Sequence, residues 1–126
     1  MADLYHIWFS TKGRKAVLED VVRDEALRQL NEAAQRGGIV LQELVVDVDH
    51  VHLLVAVQED QSLAGVMHRL KGASARYLFL KFPEFKLDTI SFWQKGYGSR
   101  RITPAEAVSV RAYIRTHRER PLRRNA

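Results

Sequence analysis

Two histidines separated by one residue, His50 and His52, have the spacing in this chain that most clearly suggests chemistry. They lie in the apolar run Asp-His-Val-His-Leu-Leu-Val at positions 49–55, which is typical of a strand. Side chains two apart on a strand share a face, about 7 Å apart at the backbone, so both imidazoles would point the same way. A divalent metal ion would satisfy both rings, and the alternative is that their nitrogens bond to neighbouring protein groups.

Composition limits what else the chain can do. It has 126 residues, 46% of them hydrophobic, and no cysteine. This length predicts one domain, residues 1–126, with its own core. The lack of cysteine excludes disulfides, thiolate zinc sites and a cysteine nucleophile, so a metal would need histidine, carboxylate or amide ligands. The apolar stretches are strand-length and the first residues include no basic leader, which predicts a soluble, cytoplasmic protein with no membrane partner.

Positive charge is concentrated near the C-terminal end. The net charge is +5, and residues 100–126 hold eight arginines against two glutamates, whereas residues 1–99 hold twelve Lys and Arg against thirteen Asp and Glu. A planar guanidinium binds two phosphate oxygens at once, so this segment indicates an anionic polymer as partner, nucleic acid before a membrane surface. The alternative is a basic tail that only keeps the protein in solution.

Hydrophobic periodicity predicts an α+β fold in which an antiparallel sheet is covered by helices. The order of elements is that of a ferredoxin-like (RRM-like) sandwich with one extra helix at the C-terminal end. The histidine strand carries an apolar stripe, Val51, Leu53, Val55 and Val57, which two helices would cover. The predicted elements are a strand at 4–10, a helix at about 20–36, strands at 39–46 and 51–57, a helix at about 62–81, a loop at 84–91, one or two strand pieces within 92–102 and a helix from 103 to about 118.

The third predicted helix would cover the face of the sheet that carries the histidines. It begins with a hydroxyl N-cap at Thr103, a proline at the next position and Glu106 three residues after the cap. Tyr113 and His117 lie four residues apart on one side of this helix, so they would approach the histidine pair. The structural alternatives are a tyrosine packed on the sheet and a histidine that interacts with the helix dipole.

A metal ion, a tyrosine and a basic flank together suit phosphoryl transfer. The metal would polarise a phosphodiester oxygen and orient the phosphate, and the tyrosine oxygen would attack phosphorus. Arginine side chains would hold the nucleic-acid backbone in line. The product of such an attack would be a covalent phosphotyrosine.

Five short segments of the sequence form an ordered set. They are Tyr-His-Ile-Trp-Phe-Ser-Thr-Lys-Gly-Arg at 5–14, the histidine run at 49–55, Leu-Lys-Gly-Ala-Ser-Ala-Arg at 70–76, Phe-Trp with a following tyrosine at 92–97, and Val-Arg-Ala-Tyr-Ile at 110–114. In this order over residues 4–117, they resemble the single-tyrosine HUH transposases of the insertion-sequence 200/605 type and their relatives associated with repetitive extragenic palindromes. The run at 49–55 is the most specific of the five, and the ordered set is strong.

This resemblance implies an activity and a set of site residues. His50 and His52 would bind a catalytic Mg²⁺ or Mn²⁺, and Tyr113 would cleave and rejoin hairpin-bearing single-stranded DNA through a 5′-phosphotyrosine link. The chain would form a homodimer in which each site combines the histidine pair of one subunit with the tyrosine of the other. The family has a glutamine where this chain has His117, which we expect to act as the third ligand and to suit Mn²⁺ better than Mg²⁺.

Several basic and aromatic residues are candidates for contact with DNA. Trp8, Trp93 and Tyr97 could stack on bases, although each could equally belong to the core. A rival interpretation is a non-catalytic single-stranded nucleic-acid-binding module on the same scaffold, but such modules display strand aromatics where this strand has histidines. A metal-binding protein without a nucleic-acid role is a further rival, which the arginine cluster disfavours. The predicted DNA-binding residues are Lys12, Arg14, Lys71, Arg76, Arg100 and Arg101.

Overall fold

Four antiparallel strands form one sheet, and helices cover both of its faces. The computed structural model describes residues 2–119, with side chains described up to residue 116. The strands are β1 Asp3–Ser10, β2 Val40–Val46, β3 His50–Val57 and β4 Gly98–Ile102, in the spatial order β2-β3-β1-β4. The helices are α1 Asp20–Arg36, α2 Leu63–Lys81 and α3 Ala107–Glu119. The arrangement confirms the predicted α+β, ferredoxin-like fold with a C-terminal helix.

One face of the sheet packs against α1 and α2 in the larger of two apolar cores. Alternation along β1 and β3 directs Ile7 and Leu53 to this side, where they join Leu30 of α1 and Leu70 of α2, all fully buried. Burying a side chain of this size contributes roughly 1.5–3 kcal/mol, so this core is the main apolar contribution to stability. The stripe predicted for the histidine strand lies in this core: Val51, Leu53, Val55 and Val57.

The helix α3 covers the opposite face and completes a smaller second core. Val110 and Ile114 of α3 are buried there. The predicted N-cap is present, since Thr103 Oγ1 accepts a hydrogen bond from the Glu106 N–H and the Glu106 carboxylate accepts one from the Thr103 N–H. The first turn, Pro104–Glu106, is a 3₁₀-helix, and α3 follows it. The sheet residues of this core are Val45, Leu54 and Ile102.

A bulge in β2 gives α3 two polar anchors. The pairing of β2 with β3 shifts between Leu41 and Glu43, which leaves Gln42 as an extra residue. Gln42 Oε1 accepts a hydrogen bond from Arg111 at 2.7 Å, and the Glu43 carboxylate accepts one from Arg115 at 3.0 Å. The two arginines lie one helical turn apart, so together they hold the middle of α3 against β2.

The segment between α2 and α3 agrees with the sequence prediction in its second part. The first half of the predicted loop at 84–91 is instead part of a short 3₁₀-helix, Pro83–Leu87. Within 92–102 the predicted one or two strand pieces are present as β4 and as a single bridge between Thr11 and Trp93. Trp93 lies in the core before β4 begins, and its buried indole N–H donates to Ser74 at 2.9 Å.

No helix within residues 2–119 has the length and apolarity needed to cross a membrane. The cytoplasmic location expected from the sequence stays a prediction. The assignment of residues 1–126 to one domain also stays a prediction.

Candidate active site

The two histidines of β3 lie side by side on the face that α3 covers. Their ring centroids are 5.0 Å apart and the ring planes are nearly perpendicular, at 78°. His52 is buried and His50 is half-buried. The backbone alternation of β3 accounts for this arrangement, because the residues between and after the histidines face α1 and α2.

Two carboxylates surround His50. Its Nδ1–H donates to Asp49 Oδ1 at 2.7 Å, and its Nε2 lies 3.8 Å from Asp47 Oδ2. Asp49 is itself buried, and the Arg14 guanidinium lies 3.7 Å from its other oxygen. A histidine whose Nδ1 donates to a carboxylate has Nε2 available for a metal ion, so this contact is compatible with the predicted role of His50.

The neighbour of His52 is a third histidine, His6 of β1. His6 Nε2 and His52 Nδ1 are 3.2 Å apart and share a hydrogen bond, and the two rings stack with their centroids 5.4 Å apart. Burial, with a smaller effect of Arg100, lowers the pKa of His6 below its ordinary value. His6 is therefore neutral near pH 7, and a neutral imidazole has one nitrogen that can accept a hydrogen bond from His52.

His6 is not among the site residues that the sequence predicts. The available signal was the alternation of β1, since Ile7 and Phe9 are apolar and their neighbours must face the other side. Only the pairing of β1 with β3, which sets Trp8 opposite His52, brings His6 next to the histidine pair.

Tyr113 lies above these histidines on α3. Its ring centroid is 6.0 Å from that of His6 and 6.2 Å from that of His52, and the residue is 43% exposed. Val110, three residues before Tyr113, and Ile114, directly after it, pack against the sheet. The position of Tyr113 therefore follows from the packing of α3. The Tyr113 ring borders a cavity of about 560 Å³, the tyrosine cavity, whose lining also includes Trp8, Arg100 and Ser109.

A second cavity lies on the other side of the histidine pair. Its volume is about 330 Å³, and both His50 and His52 line it. Trp8 and His52 line both cavities, so these two side chains separate the tyrosine side from the other side of the site. The second cavity is bordered by cationic and polar groups, which include Arg14, Gln94 and Lys95.

The donor chemistry of the site fits a divalent metal ion. Imidazole nitrogens and carboxylate oxygens both bind Mn²⁺, and the Asp49 contact gives His50 the orientation that a ligand needs. Among the residues that the structure describes, no group of three or more histidine, cysteine or acidic side chains is arranged to hold one ion. Two imidazoles would leave coordination positions for phosphate oxygens or a further ligand. The His117 side chain, the predicted third ligand, lies outside the described residues.

The family model of IS200-like transposases matches residues 3–117. The chain belongs to this family. It is 29% identical to the ISDra2 transposase TnpA of Deinococcus radiodurans over 118 residues, which cover 92% of this chain and 84% of that relative. It is also 28% identical to the transposase of insertion sequence IS200 from Salmonella typhimurium over 95 residues, which are 74% of this chain and 62% of the relative.

Two solved structures have the same fold. One is the crystal structure of a Deinococcus radiodurans R1 protein described as a candidate transposase, with a TM-score of 0.76, 30% identity, and coverage of 92% of this chain and 91% of that chain. The other is a REP-associated tyrosine transposase bound to a REP hairpin, with a TM-score of 0.71 over 91% of this chain and 66% of that one. Its sequence identity is 11%, so this second likeness concerns the fold alone.

The predicted DNA-binding residues of this IS200-like chain occupy different parts of the surface. Arg100 pairs across the sheet with His6 and lines the tyrosine cavity, where its guanidinium also contacts Glu106 at 3.2 Å. Its neighbour Arg101 faces the other side of the sheet and contacts Asp3 at 2.8 Å. Arg100 and Arg101 therefore lie on opposite faces of the sheet, and only Arg100 lies on the face that carries the histidines.

The other four candidates are also divided. Arg14 lines the second cavity beside the histidines. Lys12 lines a third cavity, of about 720 Å³, between α2 and the segment that precedes β4. Arg76 is exposed on α2, with its guanidinium 5.9 Å from the centre of the Tyr77 ring. Lys71 borders the third cavity, but its ammonium is engaged within the protein.

Lys71 holds the segment that lines the second cavity. Its ammonium donates to the backbone carbonyls of Gln94 at 2.8 Å and Gly96 at 2.5 Å, and it lies 5.4 Å from the centre of the Phe9 ring. Burial lowers the pKa of this amine from its usual value. The two carbonyl contacts indicate that Lys71 positions residues 94–97 rather than only offering charge to DNA.

Replacing Lys71 by methionine should loosen residues 94–97. Hydrogen bonds from a charged donor contribute about 1.5–3 kcal/mol, so the Gln94 amide, which donates to Ser10, should exchange its hydrogen on the order of tenfold faster or more. Hydrogen–deuterium exchange of this segment measures the effect. The matched control is Arg76→Met on the exposed side of the same helix, which should leave the exchange unchanged. Unchanged exchange in Lys71→Met, with weaker DNA binding, would make Lys71 a direct DNA contact instead.

Proposed function

We propose that this IS200-like transposase cleaves and rejoins single-stranded DNA with Tyr113 as the nucleophile. The observation that carries the proposal is the position of the Tyr113 ring, half-exposed beside the His6 and His52 rings and at the edge of an open cavity that Arg100 also lines. A phosphate that enters this cavity would meet a hydroxyl group, imidazoles and a guanidinium together. The hydroxyl can act as the nucleophile, and the imidazoles and the guanidinium can stabilise the charge on the phosphate.

In the proposed cleavage step, the tyrosine oxygen forms a bond to phosphorus as the bond from phosphorus to the 3′ oxygen breaks. The phenol loses its proton, and the departing 3′ oxygen gains one. The DNA 5′ end is then held as a phosphotyrosine. Attack by another 3′ hydroxyl reverses the step, restores a phosphodiester and releases the tyrosine, so the bond energy is retained throughout. Arg100 would stabilise the charge on the phosphate oxygens.

We further propose that His50 and His52, with His117 as a third ligand, hold Mg²⁺ or Mn²⁺. When bound, the ion would draw charge from a phosphate oxygen and orient the phosphate toward the tyrosine. The chain's own contribution is to aim the imidazoles. Asp49 holds the Nδ1 side of His50, and His6 holds the Nδ1 side of His52, so both rings direct Nε2 away from these partners.

We propose hairpin-bearing single-stranded DNA as the partner. The structural neighbour bound to a REP hairpin is a protein with the same fold, which supports a hairpin as the feature recognised. Cationic side chains near the two cavities beside the histidines, Arg14, Lys95 and Arg100, would contact the phosphates of the strand that enters the site. Such binding weakens as salt concentration rises, because each neutralised phosphate releases counterions.

The proposed quaternary state is a homodimer whose subunits exchange α3, as the resemblance implies. Within one chain, α3 docks through Val110 and Ile114 on its own sheet. Exchange would rebuild the same contacts between subunits, with Tyr113 above the partner's histidine pair, as in a domain swap. The short connection from β4 to α3 would have to change direction for this exchange.

The Tyr113→Phe variant tests the nucleophile. Incubation of the unmodified chain with single-stranded DNA that carries the ends of its own element and Mn²⁺ should leave a covalent protein–DNA adduct, which mass spectrometry maps to Tyr113. The phenylalanine variant lacks the attacking oxygen and should form none. Tyr97→Phe is the matched control, since Tyr97 is also half-exposed and lines the second cavity, and it should keep the adduct. An adduct on Tyr97 would contradict the proposal, and binding without cleavage in every metal would favour the non-catalytic binding module.

Substitution of the proposed ligands tests the metal site. His50→Ala and His52→Ala should each lower Mn²⁺ affinity by on the order of tenfold or more, measured by electron paramagnetic resonance in the absence of DNA. His117→Ala should also weaken binding, whereas His117→Gln should keep it and shift the preference toward Mg²⁺. His68→Ala on α2 is the control and should have no effect. Equal Mn²⁺ affinity in all four alanine variants would exclude these histidines as ligands.

Mixed dimers test the exchange of α3. One subunit carries His50→Ala with His52→Ala, and the other carries Tyr113→Phe, so each is inactive alone. If the sites are shared, purified heterodimers should cleave DNA, because Tyr113 of the first subunit meets the intact histidines of the second. Inactive heterodimers would show that each site lies within one chain. A sizing column separates that result from a monomeric protein.

A further inference from the structure

The two tryptophans of the chain occupy different environments. Trp93 is 4% exposed and belongs to the core, with its N–H bonded to Ser74. Trp8 is 39% exposed on the site face of β1, beyond the part of the sheet that α3 covers. An aromatic ring left exposed between two cavities, among charged groups, is typical of a binding surface rather than of a core.

The Trp8 ring is held in place by its neighbours on the sheet. Gly98 of β4 pairs directly opposite Trp8, and a Cβ at this glycine would lie 2.1–2.5 Å from three indole atoms. A side chain at position 98 would therefore occupy the space in which the ring lies. His6, two residues earlier on the same face of β1, packs against Trp8, with the ring centroids 5.0 Å apart. The indole is thus supported by β4 and by His6 before any ligand arrives.

Trp8 has cationic groups on both sides, and in a nucleic-acid strand each base has a phosphate on both sides. Arg100 lines the cavity on the tyrosine side of the ring, and Arg14 and Lys95 line the cavity on the other side. Both cavities also contain His52 in their walls. A base on the indole would place the phosphates before and after it in cavities that each hold a cation, one of them beside Tyr113.

We propose that Trp8, supported by Gly98, is a stacking platform for one unpaired nucleobase next to the phosphate that Tyr113 attacks. This inference rests on the proposed function, because it takes the tyrosine cavity as the site of the cleaved phosphate. Stacking requires only the flat face of a base, so the platform accepts any base and favours purines for their larger ring area. Its role is to set which phosphate of a flexible strand lies beside the tyrosine.

Binding of matched strands to the full chain tests the platform. The probes are a short oligodeoxyadenylate and an abasic strand of equal length, which has the same phosphates but no bases. In EDTA no cleavage intervenes, and fluorescence anisotropy gives both affinities. The unmodified chain should prefer the adenylate by on the order of tenfold, and the adenylate should quench the emission of the exposed indole.

Substitutions at Trp8 and Gly98 test whether the preference for the adenylate over the abasic strand comes from the indole. Trp8→Leu keeps an apolar side chain but no ring, so the preference should fall toward unity while affinity for the abasic strand is unchanged. Trp8→Phe should recover part of the preference. Gly98→Ala keeps the indole but displaces it, and should lower the preference as well. A preference that survives Trp8→Leu, or a loss that is equal for both strands, would overturn the inference.

Three further outcomes separate this inference from others. If Trp8→Leu changes the sedimentation of the DNA-free protein, Trp8 is a contact between subunits and the platform is rejected. If an adduct forms on Tyr113 but the base preference does not depend on Trp8, the platform fails while the proposed function stands. If the preference depends on Trp8 but no adduct forms on Tyr113, the base site exists and the proposed cleavage chemistry is rejected.

Discussion

The central strand β3 is covered on both faces, and much of the site follows from this constraint. Seven of its eight residues are buried and the eighth, His50, is half-buried. A strand in this position needs a helical layer on each side, so the chain requires α3 in addition to the two helices of a minimal ferredoxin-like fold. The packing of Val110 and Ile114 that shields Leu54 also carries Tyr113 to the histidines. The packing of α3 on the sheet therefore both covers the second core and brings Tyr113 close to the histidines.

Burial also decides how the polar groups of this face are arranged. Buried polar atoms must find partners, and here each histidine of β3 has one on its Nδ1 side: Asp49 for His50, and His6 for His52. The cationic side chains near the site also have partners within the protein. Arg14 lies near Asp49, Arg100 contacts Glu106, and the Lys71 ammonium bonds two carbonyls. The two carbonyl contacts restrain the Lys71 ammonium before DNA binds, whereas the Arg14 and Arg100 side chains are 63% and 52% exposed, so their ion pairs restrain them only weakly.

The sequence predicts most of this fold because its local signals are strong. The bounds of α1 agree with the prediction because Gly37-Gly38 ends the helix, and the start of α3 agrees because Thr103 and Glu106 form a capping box. The alternation of β1 indicates which face His6 occupies, but its contact with His52 depends on the pairing of β1 with β3, which the sequence does not show. The role of Lys71 could not be foreseen either, since it depends on where the burial of Trp93 brings Gln94. Long-range pairing, unlike a cap or a glycine pair, leaves no signal in neighbouring residues.

Within one chain, the capping box at Thr103 holds the turn that leads into α3. Tyr113 lies ten residues beyond that cap, about 15 Å along a helix, so a tilt of about 10° at the cap would displace the tyrosine by on the order of 2–3 Å. Ile114 and the two arginine contacts to β2 resist such a tilt near the tyrosine itself. The position of the Tyr113 hydroxyl therefore depends on Gln42 and Glu43 of β2, the edge strand of the sheet. Sequence changes in the β2 bulge can thus alter the reach of Tyr113 without touching the histidines.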